Sequence, residues 1–132
     1  MKIYIATPIT NRPEATLKER LKAAKERVEK IAQYMREERP TEQGDGDPLR
    51  TAEYCSTFDV NPIGCNHTEA EAMGNCIRLL LECDAIMLDK GVALYSKGMD
   101  AEHFTANAFS KNVYYFWPET IPTHLYKQNK DK

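Results

Sequence analysis

The sequence predicts an α/β fold in three layers, a parallel sheet of four to five strands with helices on both faces. Two observations carry that expectation. Short runs rich in β-branched and aromatic residues alternate with stretches of helical periodicity in the order β-α-β-α-β-α-β, and such alternation implies parallel strands joined by right-handed crossovers. The second is size: 132 residues suit one domain that buries roughly two-thirds of its unfolded surface. A single domain over residues 1 to 132 is therefore expected.

The first strand is Lys-Ile-Tyr-Ile-Ala at 2 to 6, stopped by Pro8. A helix follows from Glu14 to Glu38, with Leu17, Leu21, Ala24, Val28, Ile31 and Met35 at alternating spacings of four and three. Pro13 suits its first turn, and Thr10 or Asn11 offers the cap. At 1.5 Å per residue this helix is about 38 Å long, roughly twice a typical strand, so its far end overhangs the sheet. Arg39 to Ser56 carries Pro40, Gly44, Asp45, Gly46, Asp47 and Pro48 and reads as a long loop, either a lid or a solvated connector.

Thr57 to Val60 is expected as a short second strand ending at Asn61-Pro62. A second helix runs from Thr68 or Glu69 to Glu82, with Ala72, Cys76, Leu79, Leu80 and Cys83 on its apolar side. "DAIML" at 84 to 88 is the third strand and "NVYYFW" at 112 to 117 the fourth. Between them a helix over Met99 to Ser110 offers Ala101, Phe104, Thr105, Ala108 and Phe109 to the core. The tail from Glu119 has little pattern and reads as a short helix, a subunit contact or disorder. The expected strand order is 2-1-3-4(-5), the flavodoxin-like arrangement.

Eighteen basic and twenty acidic residues give a net charge of -2, which offers no global attraction for a nucleic acid polymer or an anionic membrane. No apolar run approaches the roughly 18 residues of a membrane span, and the strand pattern begins almost at Met1 without a signal peptide, so a cytoplasmic protein is expected. Cys55, Cys65, Cys76 and Cys83 form no CxxC pair and read as reduced thiols. Cys65, His67, Cys76, Cys83 and His103 lack a second pair at zinc-finger spacing, so neither metal nor cofactor is expected.

In open α/β sheets ligands bind beyond the carboxyl ends of the strands. That rule selects Thr7, Pro8 and Ile9 after the first strand, Asn61 and Pro62 after the second, and the loop from Asp89 to Gly98 after the third. Gly98 permits close backbone approach, while Ser96 and the amides of a helix start can hold an anion or a sugar hydroxyl. Alone, these residues read equally as helix capping, and Asp100 and Glu102 as acids complementing a helix dipole.

Taken together, "IYIATPIT", "DVNPIG", "LLLECDAIMLDKG" and "SKGMDAEHFTANAFSKNVYYF" resemble the nucleoside 2-deoxyribosyltransferase superfamily. Within it they are most similar to an uncharacterised, largely bacterial and phage branch related to 2-deoxynucleoside 5-phosphate N-hydrolases. The resemblance covers most of residues 1 to 117. It implies that Glu102 is the nucleophile that attacks the anomeric carbon of a deoxyribose and displaces the base. A carboxylate suits an oxocarbenium-like transition state and forms a glycosyl-enzyme ester. It implies that Tyr4 positions Glu102, and that Ser96, where nucleoside-specific members have aspartate, admits a 5′-monophosphate; Arg12, an isolated arginine, reads either as a further phosphate contact or as solvated surface.

One departure stands out. Where the superfamily commonly has an aspartate eight positions before the acid corresponding to Asp84, this chain has Cys76, and a neutral thiol neither accepts strongly nor shuttles a proton as a carboxyl does. Asn75, Asp89 or a carboxylate of the long loop is the candidate substitute. The alternative is a catalytically degenerate nucleotide-binding or sensing module. The resemblance also implies a homodimer or higher homo-oligomer whose neighbour completes the site, and the first helix offers a contact stripe.

Overall fold

The computed structural model describes residues 1–9, 14–39, 46–90, 97–116 and 125–128, with the side chains of Lys97 and of 125–128 left aside. Strands β1 (Lys2–Ala6), β2 (Glu53–Cys55), β3 (Ala85–Asp89) and β4 (Asn112–Phe116) are parallel, and β5 (Leu125–Gln128) pairs antiparallel with β4. The sheet order is β2-β1-β3-β4-β5, so the four parallel strands lie in the expected 2-1-3-4 order. The fifth strand that the expected order allowed for lies beside β4, but it is antiparallel and comes from the tail, which read as a short helix, a subunit contact or disorder.

Strand alternation divides the interior into two cores. Ile3, Ile5, Ala85, Met87, Tyr114 and Phe116 face one side, where Val28, Ile31 and Met35 of helix α1 (Leu17–Gln33) and its continuation cover them. Tyr4, Ala6, Ile86, Leu88 and Val113 face the other, packed against α3 (Glu69–Leu81) and α4 (Lys97–Ala108). A short helix α2 (Pro48–Thr51) adds Leu49 to the first core. β3 is buried at every residue, as a central parallel strand covered on both faces must be.

Several elements differ from expectation for identifiable reasons. The second strand is Glu53–Cys55, not Thr57 to Val60; Ser56 caps a 3₁₀ turn over Thr57–Asp59 and closes a capping box with Asp59. The expected long loop therefore contains α2 and β2, and residues 40–45 lie outside the described ones. Helix α1 starts at Leu17, not Glu14, because Thr16 and Glu19 form a reciprocal capping box that satisfies two orphan donors. Thr10, Asn11 and Pro13 lie outside the described residues. The helix widens into a π-helical turn at Tyr34–Glu38, which carries Met35 into the core.

The largest correction concerns α4. Phe104 and Phe109 are 75% and 61% exposed, and Ala108 also faces outward. The buried stripe is Met99, Glu102 and Ala106, at spacings of three and four. The helix also begins at Lys97, two residues earlier than expected. Its far end is a Schellman turn: Lys111 N–H donates to Ala106 O at 2.8 Å and Ser110 N–H to Asn107 O at 3.2 Å, with Ser110 at φ 57°.

That left-handed position favours glycine. Ser110→Gly is expected to raise stability by about 0.5–1 kcal/mol, read as a shift in the urea midpoint at unchanged slope.

Candidate active site

The carboxyl end of β1 opens onto a cleft of about 430 Å³ between α3 and α4 residues. Its floor is Tyr4 and Glu102. β1 alternation turns Tyr4 toward α3 and α4, and α4 delivers Glu102 from its second turn, so the two side chains meet although 98 positions apart. Tyr4 Oη donates to Glu102 Oε2. Asp100, not Glu102, is the acid of the first helical turn. Helix-dipole stabilisation fades beyond that turn, so dipole complementarity does not account for Glu102.

Glu102 is 6% exposed. Burial raises its carboxyl to about 7, against the smaller opposing effect of the Tyr4 hydrogen bond. Burial, with the Glu102 charge adding, also holds the Tyr4 phenol well above its ordinary value, so it remains a donor. The pair is a carboxyl near its titration point beside a phenol that keeps its proton.

Cys76 lines the same cleft from α3. Its thiol donates to Thr57 Oγ1 at 3.0 Å and accepts from Asn61 Nδ2 at 3.3 Å. Burial pushes the Cys76 thiol up, which keeps it neutral. Asn61 is a hub: Nδ2 also faces Thr57 Oγ1 at 3.1 Å and Ala72 O at 3.0 Å, while Oδ1 meets Asn75 Nδ2 at 3.1 Å and His67 Nδ1 at 2.9 Å. With both ends engaged, Asn61 fixes the wall behind Cys76.

Thr7, Ile9 and Gly98 line the cleft with Tyr4 and Glu102. Pro8 is buried, Pro62 is exposed, and neither is among the lining residues. Ser96 and Arg12 lie outside the described residues. Asp89 is not a wall of this cleft. It follows Ala85 and Met87 on the α1 face of β3, where Arg27 Nε and Nη2 donate to its two oxygens at 2.8 and 2.9 Å. Thr7 Oγ1 donates to it at 3.3 Å. Asp89 is thus a buried anchor behind the cleft, not a carboxylate substituting beside Cys76.

Sequence reasoning missed Thr57, Met73 and Met99 as cleft residues and Arg27 as the partner of Asp89. Thr57 was legible in the Ser56-x-x-Asp59 capping spacing; Arg27 gives no such signal among the other charged residues of α1. Among the described residues, no group of three or more His, Cys, Asp or Glu side chains is arranged to hold a metal ion. No helix among them is long and apolar enough to cross a membrane. Comparison of the chain with protein-family models, curated proteins and solved structures finds no match.

Between pH 4.5, the ordinary value for a glutamate, and about 7, the folded protein holds one more proton at Glu102 than the unfolded chain. Stability contributed by this group therefore falls as pH rises through that window, by about 3 kcal/mol in total. Glu102→Gln is expected to remove that slope and to be more stable than the parent at pH 8, as read by urea unfolding across pH. Arg27→Met leaves Asp89 buried without its guanidinium and is expected to cost about 3–5 kcal/mol, most of which Arg27→Met with Asp89→Leu recovers.

Proposed function

We propose that the protein cleaves, or exchanges the base of, the N-glycosidic bond of a deoxynucleoside or deoxynucleoside 5′-monophosphate, with Glu102 as nucleophile. The observation that carries this reading is the buried Tyr4 to Glu102 hydrogen bond on the floor of a cleft at the carboxyl edge of a parallel sheet. The resemblance to nucleoside 2-deoxyribosyltransferases assigns the same two residues these two roles.

In the proposed reaction the carboxylate Oε of Glu102 bonds to C1′ as the C1′–N bond breaks, and the base departs with the bonding electrons. Tyr4 holds the other oxygen and so aims the attacking one. Water, or a second base, then displaces the ester oxygen and restores the carboxylate. Burial raises the energy of the Glu102 anion and so favours its combination with an oxocarbenium-like carbon. The apolar walls around Met73 and Met99 suit a flat aromatic base. A 5′-monophosphate and a homo-oligomer whose neighbour completes the site belong to the same proposal.

A nucleotide-binding module without turnover is the second reading, and Cys76 favours it. Thr57 and Asn61 hydrogen-bond its neutral thiol, an arrangement that supplies no proton readily to a departing base.

The nucleophile must be ionised, so kcat/KM for base release from deoxynucleosides and their monophosphates is expected to rise with pH through about 7 and then level. Glu102→Gln is expected to lose at least a thousandfold in rate, on the order of 4 kcal/mol of transition-state stabilisation. A 2-fluoro sugar substrate should leave a covalent mass on Glu102. Release that persists in Glu102→Gln sinks the mechanism; saturable nucleotide binding without release from any substrate selects the module.

A further inference from the structure

Two of the four cysteines face each other outside the cleft. Cys55, the last residue of β2, and Cys83, just beyond α3, place their sulfurs 3.4 Å apart, and neither is in a disulfide. They are 7% and 1% exposed. We propose that Cys55 and Cys83 are an oxidisable dithiol, a modification site at which a hydroperoxide joins β2 to the end of α3 through a disulfide.

The geometry is specific to this pair. Closing to the covalent S–S length of about 2.05 Å requires the sulfurs to approach by about 1.3 Å. In the reduced state the Cys83 S–H has Leu79 O at 3.3 Å as acceptor, and the Cys55 S–H has either the Cys83 sulfur at 3.4 Å or Ile3 O at 3.6 Å. Cys76 is engaged by Thr57 and Asn61 instead, and Cys65 is exposed. Cys55 is the less enclosed of the two, at 7% exposure against 1% for Cys83, so a small oxidant reaches the pair from its side.

The mutual hydrogen bond pushes the Cys55 thiol up and the Cys83 thiol down, with Lys2 and Lys111 adding to the second effect. Loss of one proton therefore leaves a single S–H···S⁻ unit. Its thiolate takes the terminal oxygen of the hydroperoxide; the O–O bond breaks and an alcohol, or water from hydrogen peroxide, leaves. The second sulfur then attacks the sulfenic sulfur, the S–O bond breaks, and water departs. Two thiols are oxidised by two electrons and one peroxide is reduced. β2 leads through Ser56 into Thr57, the acceptor for Cys76, so the new bond pulls on the cleft wall. The proposal is independent of whether Glu102 cleaves a glycosidic bond.

The test titrates the full chain carrying Cys65→Ser with hydrogen peroxide, then counts thiols in denaturant and maps the unreduced digest by mass. The expected thiol count falls from three to one, and a Cys55 to Cys83 cross-linked peptide, lighter by two hydrogens, appears and is reversed by dithiothreitol. The same measurement on the parent chain, with Cys65 first blocked by iodoacetamide, needs no substitution to fold. An unchanged count, a cross-link through Cys76 or between chains, or Cys55 found as a sulfinic or sulfonic acid overturns the proposal.

Discussion

The ion pair between Arg27 and Asp89 allows a strand buried along its whole length to end in a charge. β3 lies between β1 and β4 with helices on both faces, and its last residue is a carboxylate that is 1% exposed. Leaving such a group unpaired costs several kcal/mol. The planar guanidinium answers both oxygens at once, and its carbon also lies 5.9 Å from the centre of the Phe116 ring. This fastens α1 to the carboxyl edge of the sheet. Through Thr7, it also holds the loop that follows β1.

The molecule treats another deeply buried carboxylate differently. Glu102, on the opposite face of the sheet, is met by a neutral phenol rather than a cation. The phenol satisfies one oxygen without cancelling the charge, which is why burial prevails and the carboxyl titrates near 7. Strand parity separates the two solutions: Asp89 follows Ala85 and Met87 toward α1, whereas Tyr4 points with Ile86 and Leu88 toward α3 and α4. One sheet therefore carries a structural carboxylate and a reactive-looking one back to back.

The alternation of strands and helices was legible in the sequence, as were β1, β3, β4 and α3, because each is long or apolar enough for its period to speak. β2 was not: a three-residue strand whose neighbours are Gly- and Pro-rich has too few positions to show alternation. The start of α1 was written in Thr16-Leu-Lys-Glu19, yet the proline nearby drew the boundary three residues early. The two phenylalanines of α4 misled for a deeper reason. Reading hydrophobicity as burial put Phe104 inside, but the inward stripe includes Glu102, so this helix departs from the usual amphipathic pattern at the place where chemistry is expected. Tyr4 and Glu102 were named correctly as neighbours, while the assignment of Asp89 to the cleft missed that its strand position faces the other layer.

Among the described residues no cation pairs with the buried Glu102, which also bears on how such a chain evolves. A carboxyl that lowers stability at neutral pH is one that random substitution readily improves, since glutamine or a small apolar residue fits the same stripe. Lineages in which the cleft had lost its task would be expected to shed the acid early while keeping Asp89, whose loss would instead break the ion pair that fastens α1 to the sheet. The persistence of glutamate at 102 across diverged sequences would therefore record continuing use, and its absence would mark the point at which the cleft fell silent.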